Sequence, residues 1–310
     1  MNQSKGYNQP STKMQRKQIT IIGTGLIGGS LALQLNEKGL AANIIGVDSN
    51  KQHAEKALEM GLIDEVMELH DAIQKSEVII LAVPVDGILQ LLPEILNNVK
   101  DQVVIDLGST KSLVIDLVKD HPKRGRYVSA HPMWGTEFSG PEAAVKGAFE
   151  QKAVILCNIS SSDKDALAWA QTMFEKIGMH QLQMNAEAHD LHVAYVSHIS
   201  HITSFALANT VLEKEREENA IFELASAGFE STVRLAKSNA SMWVPIFMQN
   251  RENVLDVLNE HISQLKKFKS CLEKENYDYM FELIGQANKI SKVLNPGVTN
   301  RPNSTGKLKM

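Results

Sequence analysis

The stretch from Ile19 to Asp48 reads ITIIGTGLIGGSLALQLNEKGLAANIIGVD and decides the fold of the chain. Its order is an apolar strand, a glycine-rich turn, an apolar helix and a second apolar strand that ends in an acid. Gly23, Gly25 and Gly28 have the spacing G-x-G-x-x-G directly after the first strand, which is the context that a dinucleotide-binding turn requires. We therefore predict dinucleotide binding here, against the simpler interpretation that the glycines serve only helix packing.

Each glycine has a separate task in such a turn. The first allows the tight turn, the second lets the backbone approach a pyrophosphate, and the third lets the helix pack closely on the strand. Free N–H groups at the start of the helix point at the phosphates, and Asp48 can accept hydrogen bonds from both ribose hydroxyls. The same carboxylate would repel a 2′-phosphate, so we expect NAD rather than NADP. The predicted cofactor-binding residues are Gly23, Gly25, Leu26, Ile27, Gly28, Asp48, Val83 and Pro84.

Composition and charge narrow the class of protein. The 310 residues are 43% hydrophobic and 22% charged, which is typical of a chain with two domains that each have a core. The net charge of -4 provides no global field for nucleic acid or an anionic membrane. Cys157 and Cys271 have no metal-binding spacing, and no apolar signal segment or membrane run is present. We expect a cytoplasmic protein without disulfides and without nucleic-acid or membrane partners.

Alternating apolar strands and helices continue through the first half of the chain. The strands predicted at Glu77 to Val83 (EVIILAV) and Val103 to Leu107 are nearly all apolar, as central parallel strands covered on both faces are. The pattern predicts an α/β fold with a doubly wound parallel sheet of the Rossmann type. Two further strands, 153–157 and 180–184, should extend the sheet, and helices dominate after Asn185. The predicted organisation is a disordered tail 1–18, a dinucleotide-binding domain 19–185, a helical substrate and dimerisation domain 186–294, and a disordered tail 295–310.

Ligands in such sheets bind beyond the carboxyl ends of the strands, and two predicted strands end in candidate site residues. Ser109 and Lys111 follow one strand at the start of a helix, where Ser109 or Thr110 could simply cap the helix. His131 ends the strand YVSAH and is either a structural histidine or a catalytic one. A catalytic base must be neutral, so an ordinary imidazole predicts activity that rises with pH through about 6.5.

The helical part begins with residues 187–214, for which the pattern predicts one long helix. A small polar stripe on this helix contains Ser197 and His201. Because no cysteine or carboxylate set converges on its histidines, we predict no metal site. The histidine pairs with i,i+3 spacing are His189 with His192 and His198 with His201.

Arg234 is a candidate clamp for a substrate carboxylate, because a guanidinium can form two parallel hydrogen bonds with a carboxylate. Solvation at the surface is the simpler alternative. The segments Met242 to Leu265 and Asp278 to Val293 predict two more amphipathic helices. Their apolar faces are too extensive for a small helical domain to bury alone, so we expect a homodimer.

Five motifs give a specific resemblance to a known family. They are GTGLIGGS, VIDLGSTKS, AHPMWGTEFSG, HDLHVAYVSHISH and STVRLAKSNASMW. Their order and spacing resemble those of the prephenate and arogenate dehydrogenases of tyrosine biosynthesis, over roughly Ile19 to Leu294. The resemblance implies a homodimeric enzyme that uses NAD to oxidise and decarboxylate prephenate, which yields 4-hydroxyphenylpyruvate.

The resemblance also implies roles for individual residues. Ser109 and His131 match the serine and histidine that face the nicotinamide in the family, with His131 as the base and Ser109 orienting it. Trp134 stands where the family more often has alanine, and a large indole there could reshape the pocket. The residues implied for substrate binding are Arg234, His201, Ser197, Thr136 and Trp243.

Three alternatives remain open from the sequence. Arogenate differs from prephenate only by an amino group in place of a keto group on the side chain. A β-hydroxyacid or imine-type dehydrogenase has the same two-domain plan, but usually relies on a catalytic lysine or aspartate in the first interdomain helix. A regulatory protein that senses NAD would need no catalytic set, and the combination of His131, Ser109 and Arg234 argues against it.

Overall fold

The computed structural model describes residues 15–216 and 220–294. Residues 1–14 and 295–310, which make up most of the two tails predicted to be disordered, lie outside the described residues. The chain forms two compact units, Met1–Val254 and Leu255–Met310. The sequence pattern predicts a domain boundary at residue 185, but the first unit continues past that residue. The predicted domain boundary therefore stays a prediction.

An eight-stranded sheet forms the core of the first unit. The strands are β1 (Lys17–Ile22), β2 (Ala41–Val47), β3 (Glu65–Val66), β4 (Val78–Leu81), β5 (Val103–Asp106), β6 (Tyr127–Pro132), β7 (Ala153–Cys157) and β8 (His180–Met184). They lie in the order β3-β2-β1-β4-β5-β6-β7-β8. The strands from β3 to β6 pair in parallel. This confirms the predicted doubly wound sheet.

The last two strands depart from the all-parallel prediction. β7 pairs antiparallel with β6 and parallel with β8. The reason lies in the connection between β6 and β7, which contains one short 3₁₀ turn, Pro141–Ala143, and no α-helix. A parallel neighbour requires a crossover connection, usually a helix, to bring the chain back to the other end of the sheet. The sheet is therefore mixed at this edge.

Helices cover both faces of the sheet and continue beyond it. Alternate side chains of β4 enter two separate cores: Val78 and Ile80 pack with α1 and α6, and Ile79 and Leu81 pack with α4 and α5. The α-helices are α1 (Leu26–Glu37), α2 (Lys51–Glu59), α3 (Leu69–Lys75), α4 (Val85–Asn98), α5 (Ser112–Val118), α6 (Lys164–Lys176), α7 (Ala186–Val193), α8 (Ile199–Glu215), α9 (Ala227–Val233), α10 (Ala240–Gln249), α11 (Arg251–Glu273), α12 (Tyr277–Ala287) and α13 (Ser291–Leu294).

Two predicted helices are interrupted. The helix expected over 187–214 consists of α7 and α8 joined by a π turn, Ala194–His198, in which the N–H of Ile199 donates to the carbonyl of Ala194. The extra residue in this turn breaks the 3.6-residue pattern on which the polar stripe was predicted. The helix expected over 242–265 is divided into α10 and α11 by Asn250, whose backbone (φ -107°, ψ 29°) lies outside the helical region.

The second unit contains α11 from Leu255 onward, α12 and α13. Many of its apolar side chains are exposed on the single chain. They include Leu265, Leu272, Phe281, Ile284, Val293 and Leu294. Over the described ranges, 15–216 and 220–294, no helix is both long enough and apolar enough to cross a membrane.

Candidate active site

The glycine turn between β1 and α1 is shaped by close packing at two positions and open at the third. Gly23 has φ +92°, and a Cβ built on it would lie 2.5 Å from the carbonyl oxygen of Ala82. A Cβ on Gly28 would lie 1.9 Å from the carbonyl oxygen of Gly23. At Gly25 the nearest heavy atom to such a Cβ is 3.9 Å away. The open space at Gly25 fits the close approach of a pyrophosphate that the motif predicts.

The carboxylate of Asp48 is held beside this turn. Its Oδ2 accepts from the N–H and the hydroxyl of Thr24, both at 2.9 Å, and its Oδ1 accepts from the N–H of Asn50 at 2.9 Å. A carboxylate has about four acceptor positions. Donors from the described residues occupy three of these positions, which leaves one for a ribose hydroxyl. A second ribose hydroxyl would have to replace the hydroxyl of Thr24.

The other residues predicted to bind the cofactor lie at the same carboxyl edge of the sheet. Leu26 and Ile27 are partly exposed in the first turn of α1, where N–H groups have no acceptor within the helix. Val83 and Pro84 follow β4, and Pro84 directly precedes α4. β1 lies between β2 and β4, so the turn sits where the chain connections diverge, which is where such sheets bind ligands.

Two histidines and an aspartate form a chain of hydrogen bonds next to this edge. His131, in β6, lies with its Nδ1 2.8 Å from Nε2 of His189 in α7. Nδ1 of His189 lies 2.8 Å from Oδ1 of Asp190. His189 is fully buried and Asp190 is 2% exposed, whereas His131 is only partly buried. Nε2 of His131 makes no hydrogen bond with any residue that the structure describes, so one ring nitrogen is fixed and the other is available.

Ser109 follows β5, the strand next to β6, but it does not orient His131 in this structure. The ring nitrogen of His131 that is hydrogen-bonded contacts His189 instead. The interpretation of Ser109 or Thr110 as a helix cap is also wrong. The carboxylate of Asp190 accepts from the N–H groups of Lys111 at 2.9 Å and Ser112 at 2.8 Å, so the cap of α5 comes from α7.

A buried ion pair lies beneath the loop that contains Ser109. Nζ of Lys111 lies 2.5 Å from Oδ1 of Asp106, and both side chains are fully buried. The hydroxyl of Tyr127 donates to Oδ2 of Asp106 at 2.5 Å. Burial and the neighbouring carboxylate raise the pKa of Tyr127 well above its usual value. Buried charges persist only when they are paired and hydrogen-bonded, and this arrangement meets both conditions.

The two histidines of this hydrogen-bonded chain, His131 and His189, are held in their neutral form. Burial is the main cause that lowers the pKa of His131 well below its ordinary value, and the positive charge of Lys111 and the neighbouring His189 and His198 add to it. Burial also lowers the pKa of His189, against the opposing effect of its hydrogen bond with Asp190. The sequence-based expectation of an ionisation near 6.5 for His131 is therefore wrong, because it ignored burial.

A second cluster contains the predicted substrate residues of the helical part. The rings of His201 and Trp243 stack with centroids 3.4 Å apart and an angle of 26°. Nδ1 of His201 donates to the carbonyl oxygen of Ser197 at 3.0 Å. Trp243 packs with Ile246 against Val85 at the start of α4. The indole N–H of Trp243 is buried and, within the described part of the chain, has no hydrogen-bond acceptor.

Arg234 lies against the segment that follows His131. Its Nη1 donates to Oε2 of Glu137 at 3.0 Å, and half of its side chain is exposed. Thr136 precedes this glutamate and its hydroxyl accepts from the N–H of Phe138 at 3.3 Å. A guanidinium has five N–H donors, so Arg234 retains donors for a second carboxylate. The indole of Trp134 packs edge-on against Phe149 with centroids 5.4 Å apart, as part of the core.

Sequence reasoning missed the partners of the predicted residues. It treated His189 only as one half of a metal pair and did not single out Asp190, Glu137 or Asn250. The side chain of Asn250 donates to the backbone carbonyl of Asp190 at 2.6 Å and lies 3.2 Å from Nδ1 of His198. No group of three or more possible metal ligands exists among the residues described.

The fold and the site together define a class of protein. A Rossmann-type sheet with an open glycine turn, an acid at the end of β2 and a neutral histidine at the same edge is the arrangement of a dinucleotide-dependent dehydrogenase. Comparison with known proteins identifies the family. Residues 31–183 match the model of the prephenate dehydrogenase nucleotide-binding domain, and residues 185–286 match that of the prephenate dehydrogenase dimerization domain.

Individual relatives agree with this match. The chain is 31% identical over 267 residues to a prephenate dehydrogenase of Bacillus subtilis (strain 168), covering 85% of this chain and 72% of the relative. It is 30% identical over 289 residues to a cyclohexadienyl dehydrogenase of Zymomonas mobilis, covering 92% and 99%. A crystal structure of prephenate dehydrogenase from A. aeolicus with hydroxyphenyl propionate and NAD+ superimposes with a TM-score of 0.82 at 28% identity, covering 91% of this chain and 100% of that one. The chain belongs to the prephenate dehydrogenase family of NAD-dependent oxidoreductases.

The glycine turn generates a prediction with a matched pair of variants. Gly28→Ala places a methyl group against the backbone oxygen of Gly23, so it should lower the free energy of unfolding by about 1–3 kcal/mol or more. Gly25→Ala meets no such obstacle and has φ -73°, so it should unfold like the wild type but bind NAD about tenfold more weakly or worse. Thermal unfolding and NAD titration check both. Equal NAD affinity in Gly25→Ala and wild type would contradict the placement of the pyrophosphate.

Proposed function

We propose that this enzyme oxidises prephenate with NAD and that the product loses carbon dioxide to give 4-hydroxyphenylpyruvate. The proposal rests on the geometry of His131. Its Nδ1 is fixed by His189, and its Nε2 is available at the carboxyl edge of the sheet. The family match supports the reaction, and the geometry supports the roles of the residues.

The chemistry requires a base at the ring hydroxyl of prephenate. NAD held at the glycine turn and Asp48 would supply the acceptor for the hydride that leaves the carbon bearing this hydroxyl, and the hydroxyl oxygen becomes a carbonyl. Nε2 of His131 accepts the hydroxyl proton. The ring carboxylate then leaves as carbon dioxide, its bonding electrons enter the ring, and the oxygen recovers a proton from His131 as the ring becomes aromatic. Prephenate is thus oxidised by the two electrons of the hydride, which NAD would take up, and His131 returns to its starting protonation state.

A cation is needed for the carboxylates of the substrate, and Arg234 is the proposed one. It is half exposed and keeps free donors after its bond to Glu137. Ser197, His201, Trp243 and Thr136 are the proposed lining of the remaining pocket, supported by the stacked rings of His201 and Trp243. The indole N–H of Trp243, which has no acceptor among the described residues, is suited to donate to a substrate oxygen. Ser109 is proposed to lie beside the nicotinamide, where its hydroxyl can contact the substrate oxygen as well.

The alternative of a β-hydroxyacid or imine-type dehydrogenase is less well supported. Such an enzyme would use an acid or a lysine of the helix that follows the sheet. Here that helix supplies Asp190, whose carboxylate is already engaged with the N–H groups of Lys111 and Ser112 and with His189. Arogenate stays a candidate substrate because it has the same ring.

We also propose that the enzyme is a homodimer that assembles through its C-terminal helices. The exposed apolar side chains of α11, α12 and α13 support this, as does the match of residues 185–286 to a dimerization domain. Light scattering should give twice the chain mass of 34.3 kDa. A cytoplasmic location and the lack of a nucleic-acid partner stay predictions.

The reaction itself is tested by following NADH or NADPH formation with purified enzyme. Prephenate and arogenate should each be offered with NAD and with NADP, which gives four combinations. We expect the highest kcat/KM for prephenate with NAD, because Asp48 would repel the 2′-phosphate of NADP. No turnover with either substrate would leave an NAD-sensing protein as the better interpretation, and higher kcat/KM with NADP would remove Asp48 as the selecting residue.

His131 generates a prediction about pH. Since a base must be neutral and burial lowers the pKa of His131 in the free enzyme, kcat/KM should be constant from pH 8 down to about 6.5 and fall only at lower pH, through the depressed pKa. His131→Asn should lower kcat by about 10²- to 10⁴-fold, the usual contribution of a general base, and abolish this acidic limb. Unchanged NAD affinity and thermal unfolding serve as controls. A wild-type acidic limb centred at or above 6.5 would contradict the depressed pKa.

Arg234 generates a prediction about substrate binding. Arg234→Ala should raise KM for prephenate by about 10- to 150-fold, since a hydrogen bond to a charged group contributes about 1.5–3 kcal/mol. NAD affinity should not change. Arg251→Ala is a matched control, because Arg251 is exposed and its guanidinium pairs with the adjacent Glu252. An unchanged KM in Arg234→Ala would exclude it from the substrate pocket.

A further inference from the structure

We propose that Asp190, acting through His189, fixes the tautomer of His131 so that its Nε2 is unprotonated and faces the substrate as a base. Both are positioning residues, since neither is proposed to touch the substrate. The inference rests on the proposed role of His131 in prephenate oxidation, and it adds two residues to the site that family resemblance and sequence pattern left without a role.

The direction of the hydrogen bonds begins at Asp190. Its carboxylate accepts from two backbone N–H groups, those of Lys111 at 2.9 Å and Ser112 at 2.8 Å. Burial acts to raise the pKa of this carboxyl, but the hydrogen bonds from His189 and Ser112 outweigh it and lower the pKa. Asp190 is therefore ionised and can only accept. The proton between Asp190 and Nδ1 of His189 belongs to the histidine.

The same reasoning fixes the proton positions on His189 and then on His131. His189 is fully buried and neutral, so a proton on Nδ1 leaves Nε2 with a lone pair. That lone pair accepts from Nδ1 of His131 at 2.8 Å, so the proton of neutral His131 is on Nδ1. Its Nε2 then carries the lone pair. Reversing the chain would require a protonated Asp190 or a buried imidazolium, and both are costly.

The chain also stabilises the charge that forms during the reaction. When Nε2 of His131 accepts the hydroxyl proton, the imidazolium donates a charge-assisted hydrogen bond to His189, which is stronger than a neutral one. The charged groups around His131 are Lys111, which is paired with Asp106, and Asp190, with His189 and His198 as further titratable neighbours. Lys111 opposes the imidazolium, whereas the hydrogen bond to His189, which is itself bonded to Asp190, favours it.

The position of Asp190 is fixed from three elements. The start of α5 donates two N–H groups to its carboxylate, α7 supplies its backbone, and Asn250 at the junction of α10 and α11 donates to its carbonyl oxygen. A carboxylate with this many contacts has little freedom to turn away from His189. The carboxylate of Asp190 can therefore hold the ring of His189 in one orientation.

The first experiment reads the tautomer directly and needs no turnover. The holoenzyme is labelled with ¹⁵N-histidine, and the ring nitrogens of His131 are assigned by comparison with His131→Asn. At pH 7.5 we expect a protonated Nδ1 and an unprotonated Nε2. In Asp190→Asn, where the side-chain amide can donate to His189, we expect the tautomer of His131 to be reversed. A proton on Nε2 of His131 in the wild type would overturn the proposal.

The second experiment reads the kinetic consequence. His189→Asn should lower kcat for prephenate by about 10- to 150-fold, the value of a hydrogen bond to a charged group, while KM and NAD affinity stay near wild type. His192→Asn is the matched control, because His192 lies on the same helix but is exposed, and its kcat should equal that of the wild type. A wild-type kcat in His189→Asn would also overturn the proposal.

The two experiments separate this inference from the proposed function. If the wild type does not oxidise prephenate or arogenate, the proposed function fails and the ¹⁵N spectra still decide the tautomer. If either variant does not fold, the spectrum of the wild type decides alone. A merely structural His189 would lower the melting temperature without reducing kcat per folded molecule, and that result counts against the inference.

Discussion

The carboxylate of Asp190 connects the sheet edge with the helices that follow it. Removing an ionised carboxylate from water costs several kcal/mol unless its oxygens are satisfied by hydrogen bonds. Here the donors are the first N–H groups of α5 and the ring of His189. Because these donors lie far apart in the sequence, the carboxylate stays satisfied only when α5 and α7 keep their positions. Asp190 thereby also holds His189 in place beside His131.

Charges of opposite sign alternate through the buried part of the site. The side chain of Asp106 is paired with that of Lys111, and the backbone N–H of Lys111 donates to the carboxylate of Asp190. The histidines between these charges and the surface are neutral because burial disfavours their protonation. The charges of the buried part thus lie on Asp106, Lys111 and Asp190, and the imidazole of His131, the proposed base, is neutral.

Local patterns were sufficient for the parallel part of the sheet and for the glycine turn but not for the partners of His131. Gly23 and Gly28 are required by contacts with nearby backbone, so their spacing between an apolar strand and an apolar helix predicts the turn. His189 lies 58 positions from His131 in sequence, and no periodicity within α7 indicates which side chain it meets. The antiparallel β7 was missed for a similar reason, since an apolar strand of five residues has the same pattern in either direction.

The π turn between α7 and α8 has a consequence for how this region tolerates change. Each residue of an α-helix turns the chain by about 100°, and the turn at Ala194–His198 holds one residue more than a regular helix would. The extra residue is taken up within the turn, so the residues of α8 keep the faces that they would have in a regular helix one residue shorter. Deleting one residue in the turn would therefore let an uninterrupted α-helix form with His201 still on the face that stacks on Trp243. A deletion or insertion within the regular part of α8 has no such turn to take it up, and it would rotate every following residue by about 100°.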